Sequence, residues 1–121
     1  MTAEERKRRP VSSGVLKYFP NAIKEVAYAS YMGNEQHHPG EPLHWDKSKS
    51  TDEPDALVRH LMDHLEGNPV DDDGVLHLAK TAWRSLAMLE RYLIEKKIEE
   101  HPRTKMEEDK LKLRKQYESK E

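Results

Sequence analysis

Residues 75–94 read VLHLAKTAWRSLAMLERYLI, and their spacing decides the fold class. Val75, Ala79, Ala82, Leu86, Leu89 and Leu93 recur at steps of three and four, the heptad-like seam of a helix with one buried side. Leu76, Trp83, Ala87 and Ile94 form a second row that widens that side. The acidic run Asp71, Asp72, Asp73 complements the positive end of a helix dipole, so the reading places the start of this helix there and its end near Glu100. Upstream, Gly67, Asn68 and Pro69 close another helix, opened by Thr51 and Asp52 as cap candidates with Pro54 in the first turn. Its apolar stripe is Leu57, Val58, Leu61, Met62 and Leu65. A still earlier helix begins near Pro20, carries Ile23, Val26, Ala27, Ser30 and Tyr31 at helical spacing, and stops at Gly33. The expected fold is therefore all-α: three main helices in a small bundle, plus a charged C-terminal helix signalled by Thr104 and Glu107 as a capping box.

One long loop, from Asn34 to Asp52, separates the first two helices; it holds His37, His38, His44, Trp45, Lys47 and Lys49. Unstructured connections of that length are unusual in compact domains and are often functional when ordered. Residues 1–17 read as a flexible N-terminal arm, 18–100 as the helical domain, and 101–121 as a charged helix or tail.

Hydrophobic residues make up 35% of the 121 and charged residues 36%, so each helix can bury only one stripe and the core must be thin. Self-association would thicken it, and the heptad-like seam points to a homodimer or higher homo-oligomer. A net charge of −2 gives no basic field for general nucleic-acid or anionic-membrane binding. The chain has no cysteine, which excludes disulfides, thiolate catalysis and Cys-ligated metals. Neither a secretory signal nor a membrane-length apolar run is present, so the cytoplasm is the expected compartment.

Two pairs of residues could carry chemistry. With about 100° per residue on a helix, His60 and His64 share one side, with Asp63 beside them. Two imidazoles at i and i+4 can reach one divalent ion, with the carboxylate as ligand or orienter. Asp73 and His77 repeat the spacing on the next helix, and Lys80, Thr81 and Arg84 continue that face. The order acid, imidazole, then two cations suits a metal-bound triphosphate, the cations neutralising phosphate oxygens. The same residues equally fit histidines that fringe a helix interface, a capping Asp73 and solvated Lys80 and Arg84. Trp45 can stack on a purine, with Lys47 or Lys49 on phosphate, or it can plug the core as a lid residue. Glu25, nearly opposite the apolar stripe of its helix, is either solvated or a third wall of the cluster. A Gly-rich phosphate loop and a Ser or Cys nucleophile setting are both missing.

Several short motifs stand in a fixed order: Gly33-Asn34-Glu35-Gln36-His37, Pro42-Leu43-His44-Trp45-Asp46, Lys49-Ser50-Thr51-Asp52, Arg59-His60-Leu61, Asp71 to Gly74, His77-Leu78-Ala79-Lys80 and Ala82-Trp83-Arg84. From Tyr18 to Leu93 the chain resembles the phage-associated dATP/dGTP diphosphohydrolase N-terminal domain family. That resemblance implies hydrolysis of a purine deoxynucleoside triphosphate to monophosphate and pyrophosphate, with Mg2+ or Mn2+, in phage nucleotide metabolism in the host cytoplasm. On this reading His60, His64, Asp73 and His77 hold or orient metal, and Asp63 or Glu25 is base or ligand. Trp45, Lys49, Arg59, Lys80 and Arg84 then contact the nucleotide. The paired Glu-x-x-Glu and Glu-x-x-Asp motifs of the MazG-like proteins that accompany this domain are not evident; Asp63 to Glu66 has the spacing but no partner. Two other functions fit the residues: a non-catalytic module that binds or sequesters a nucleotide, and a helical assembly or interaction protein.

Overall fold

A computed structural model describes residues 1–47, 52–100 and 105–118. Among them are five α-helices and one π-helical turn: α1 (Ala3–Lys7), the π turn (Ser12–Leu16), α2 (Pro20–His37), α3 (Glu53–Leu65), α4 (His77–Glu100) and α5 (Lys105–Glu118). The all-α expectation holds. No helix of the described residues is long and apolar enough to cross a membrane.

Residues read as an arm contain α1, closed by a capping box between Thr2 and Glu5, and the π turn; neither element buries a side chain. Helix α2 runs through Gly33 to His37, four residues past the expected stop. Gly33 does not adopt the left-handed conformation that would end a helix. The helix stops instead before Pro39, whose ring disfavours helical geometry in the preceding residue, and His38 is accordingly at φ −139°.

The start of α4 differs as well. It begins at His77, because residues 71–74 form a turn rather than a first helical turn. The Asp71 N–H donates to the Val75 carbonyl and the Gly74 N–H to the Asp71 carbonyl, each at 2.9 Å. Gly74 takes a φ of +83° that only glycine adopts without strain. Asp71 accepts the Asp72 N–H and Asp73 accepts the Val75 N–H. Short carboxylates that satisfy nearby backbone donors compete with helix formation, so the acidic run makes a turn, closed by a bridge between Val70 and Leu76.

By contact density the chain divides into two compact units, Met1–Met88 and Leu89–Glu121. The division lies inside α4, upstream of residues 101 and 102, where the sequence breaks and which lie outside the described residues, as does Thr104 of the expected capping box. In the first unit α3 and α4 run antiparallel: Arg84 meets Glu53, Thr81 meets the Leu57 carbonyl and His77 meets His60. The core is thin, as composition required. Among the described residues only Ala56, Val75, Ala79 and Ala87 are buried apolar side chains.

The face that α3 turns inward is the main surprise. Glu53, Ala56 and His60, at heptad spacing, are buried, and Asp63 continues the row half-buried. Val58, Met62 and Leu65 of the expected apolar stripe are more than half exposed. Burying a carboxylate and an imidazole while leaving these apolar side chains in water opposes the usual hydrophobic ordering, and needs partners for every buried polar group.

Candidate functional site

Those partners come from α4 and from the turn before it. His60 Nδ1 and His77 Nδ1 are 2.8 Å apart, with both residues about 95% buried. Asp63 Oδ2 lies 3.8 Å from His77 Nε2. A carboxylate can only accept, so it favours the His77 proton on Nε2; His77 Nδ1 then accepts the bond that His60 Nδ1–H donates. Burial lowers the His60 pKa, and the positive charges of Lys80 and Arg59 add to the effect against the opposing pull of Asp71. The shift favours the neutral form of His60.

Lys80 is the hub of the adjoining wall. Its Nζ donates to Asp71 Oδ2 and to Asp73 Oδ2, each at 2.6 Å, and Asp71 Oδ2 is also 3.9 Å from His60 Nδ1. The hydrogen bond from Lys80 holds the Asp71 carboxyl below its ordinary range, helped by the Asp72 N–H. Burial pushes Asp73 up, but hydrogen bonds from Lys80 and the Val75 N–H outweigh it and the net shift is down. Burial likewise opposes the charge on Lys80, and the two carboxylates more than compensate, so its pKa is raised. One turn further along α4, Arg84 Nη1 lies 3.5 Å from the buried Glu53 carboxylate and 3.8 Å from Asp52, while its guanidinium covers the Trp83 ring.

Lys80, Asp73, Arg84, Glu53 and Asp52 border a cavity of about 570 Å3, the size of a small-molecule site. Trp45 and Trp83 meet edge to face at 5.5 Å on one wall, with Lys47 over the Trp45 ring. Lys80, Arg84, Asp73, Glu53 and Asp52 supply the charged wall. Asn34, His37, His38 and His44 complete it from the end of α2 and the loop that follows. The buried Asn34 side chain ties that loop down: Nδ2 donates to the Glu41 carbonyl at 3.0 Å, and Oδ1 accepts the His44 N–H at 3.4 Å.

Of the residues singled out by sequence, Trp45, Asp73, Lys80 and Arg84 line the cavity. His60, Asp63 and His77 cluster with one another and do not line it; Asp71, 3.9 Å from His60 and bonded by Lys80, links the cluster to the cavity wall. His60 pairs across to His77 rather than with His64, and the half-buried His64 lies outside the cluster. Asp73 sits in the turn, not on the helix with His77, and its oxygens serve Lys80 and the Val75 N–H. Glu25 and Arg59 are exposed and do not line the cavity; Arg59 acts on His60 through its charge. Lys49 lies outside the described residues. Sequence reasoning missed Asn34, Glu53 and Asp71 as parts of the site. For Glu53 the signal was present, since it stands three residues before Ala56 and seven before His60, but a helix-start glutamate reads by default as a solvated dipole partner.

The sequence profile of the dATP/dGTP diphosphohydrolase N-terminal domain matches residues 2–101, most of the chain. The chain belongs to that family. Comparison with curated proteins and with solved structures returned no match. The diphosphohydrolase family profile takes in the whole cavity, the His60–His77 pair and the Asp71–Gly74 turn, and it extends beyond the Tyr18 to Leu93 stretch that carries the resemblance by motif.

Proposed function

We propose that this diphosphohydrolase-family chain takes a purine deoxynucleoside triphosphate, dATP or dGTP, in the cavity and hydrolyses it to monophosphate and pyrophosphate with a divalent metal. The observation that carries the reading is a nucleotide-sized cavity with two tryptophans on one wall and two cations, Lys80 and Arg84, on another. A purine stacks on an indole face, and Arg and Lys recognise phosphate oxygens. Both cations already face carboxylates, so binding a triphosphate exchanges their carboxylate contacts for phosphate ones.

The metal can be judged from donor chemistry. His60, Asp63 and His77 bring two imidazoles and a carboxylate within 4.8 Å of one another, a set that fits an ion accepting nitrogen. Mg2+ prefers oxygen and near-ideal octahedra, so Mn2+ is the better match of the two. When bound, the ion would polarise a phosphoryl oxygen or activate water. Asp63, half-exposed and 3.8 Å from His77 Nε2, would serve as ligand or base, and Lys80 and Arg84 would stabilise charge moving toward the leaving pyrophosphate. Phage nucleotide metabolism in a host cytoplasm is the setting the same reading implies. Self-association through the exposed leucines of α4 also belongs to it.

A binding-only module is the second reading, favoured by the engagement of both cations with carboxylates. Incubation of the chain with each deoxynucleoside triphosphate and Mn2+ or Mg2+, followed by pyrophosphate assay, separates the two. Release from dATP or dGTP is expected. Tight binding with the nucleotide returned intact supports sequestration, and neither binding nor release with any nucleotide defeats both.

A further inference from the structure

A second convergence of donors lies on the loop after α2, outside the residues that the proposed hydrolysis uses. His38, Glu41 and His44 each place a donor atom within 4.8 Å of the others. His38 Nδ1 is 3.5 Å from Glu41 Oε2, and the His38 and His44 rings are tilted against one another with centroids 4.2 Å apart. We propose that His38, Glu41 and His44 form a separate metal site on the cavity wall, selective for a borderline dication of the zinc class.

The loop is built to hold this arrangement without an ion. The Glu41 N–H donates to the His38 carbonyl at 3.0 Å, and Gly40, at φ +77°, allows the tight reversal between them. Asn34 then fixes both Glu41 and His44 through their backbones, and leaves both side chains for other work. The His44 ring is oriented as well. Its Nδ1 lies 3.0 Å from the Pro42 carbonyl, which can only accept, so Nδ1 carries the proton and Nε2 keeps its lone pair. A backbone carbonyl on the far nitrogen is how metal-binding imidazoles are commonly held.

The donor set selects the ion. Two imidazoles and one carboxylate suit Zn2+, Co2+ or Ni2+ and are poor for Mg2+ or Ca2+. In tetrahedral geometry three protein ligands leave one open position. Because His38 and His44 line the cavity, a ligand held there can reach that position.

Zn2+ titration of the tag-free full chain against a chromophoric chelator, and Co2+ titration followed by its visible absorption, test the site with no nucleotide present. Failure of the proposed hydrolysis therefore leaves this result untouched. Glu41→Gln removes a ligand charge and preserves both backbone contacts of the loop, so its circular dichroism should match wild type. Its Zn2+ affinity should fall about tenfold or more, and His44→Ala should fall at least as far. His60→Ala, which disrupts the other cluster, should retain the Glu41-dependent binding. Wild-type affinity and stoichiometry in Glu41→Gln, or no Zn2+ bound by the wild-type chain, overturns the proposal whatever His44→Ala does.

Discussion

A buried imidazole, His60, whose burial opposes protonation makes the protein sensitive to mild acid. His60 has a folded-state pKa below its ordinary 6.5, so between the two values the unfolded chain binds a proton that the folded chain refuses. Stability therefore rises with pH up to about 6.5 and then levels off; read downward, it is lost as pH falls below that point. Asp71 and Asp73 add a second limb, because their depressed pKa values stabilise the fold above 3.8 and this is lost as pH falls through the folded values. Lys80, raised above 10.5, contributes up to strongly alkaline pH. Urea midpoints from pH 4.5 to 8 should show the first limb, and His60→Leu with His77→Leu should flatten it; an unchanged slope in the double variant rules out the pair as its origin. At this scale the sequence was partly legible. His60, Asp63, His77 and Lys80 stood out by residue type and spacing, but His64 has the same type and spacing as His60 and differs only in where the backbone turns it.

Among the elements, the turn from Asp71 to Gly74 controls the entry of α4 and thereby the positions of His77, Lys80 and Arg84. Its dependence on a positive φ gives a direct check. Gly74→Ala should destabilise the protein by about 1 kcal/mol, from strain alone, since no atom lies within 4 Å of the added methyl. A urea midpoint equal to wild type would show that the turn relaxes at no cost. This element was misread for a reason of general use: three consecutive aspartates suit a helix N-terminus electrostatically, but the same side chains bond to backbone N–H groups one or two residues on, and a glycine directly after them favours the turn. The C-terminus of α2 was misread because Gly33 outweighed Pro39 in the reading. The polar character of the contact between α3 and α4 was not legible, since a helical pattern shows which residues share a face and not which face is covered.

For the molecule as a whole, the seam of α4 is divided in its burial. Ala79 and, just ahead of the helix, Val75 are buried, whereas Leu86, Leu89 and Leu93 are each about half exposed, as is Tyr92. Exposed leucines of this kind are what the proposed self-association would cover. Sedimentation velocity should find a dimer or larger species for wild type, and Leu86→Lys with Leu89→Lys should shift it to monomer; a monomeric wild type at high micromolar concentration removes the idea. Fold class was legible because heptad steps and helix boundaries are local, and the thin core followed from composition alone. The buried row Glu53, Ala56, His60 bears on any attempt to improve the protein. Replacing a paired interior charge by a well-fitted hydrocarbon is often neutral or stabilising. Selection of libraries for heat resistance alone should therefore enrich leucine or methionine at Glu53, His60, His77 and Arg84 first, and under the proposed function the toughest survivors would be those least able to recognise a nucleotide.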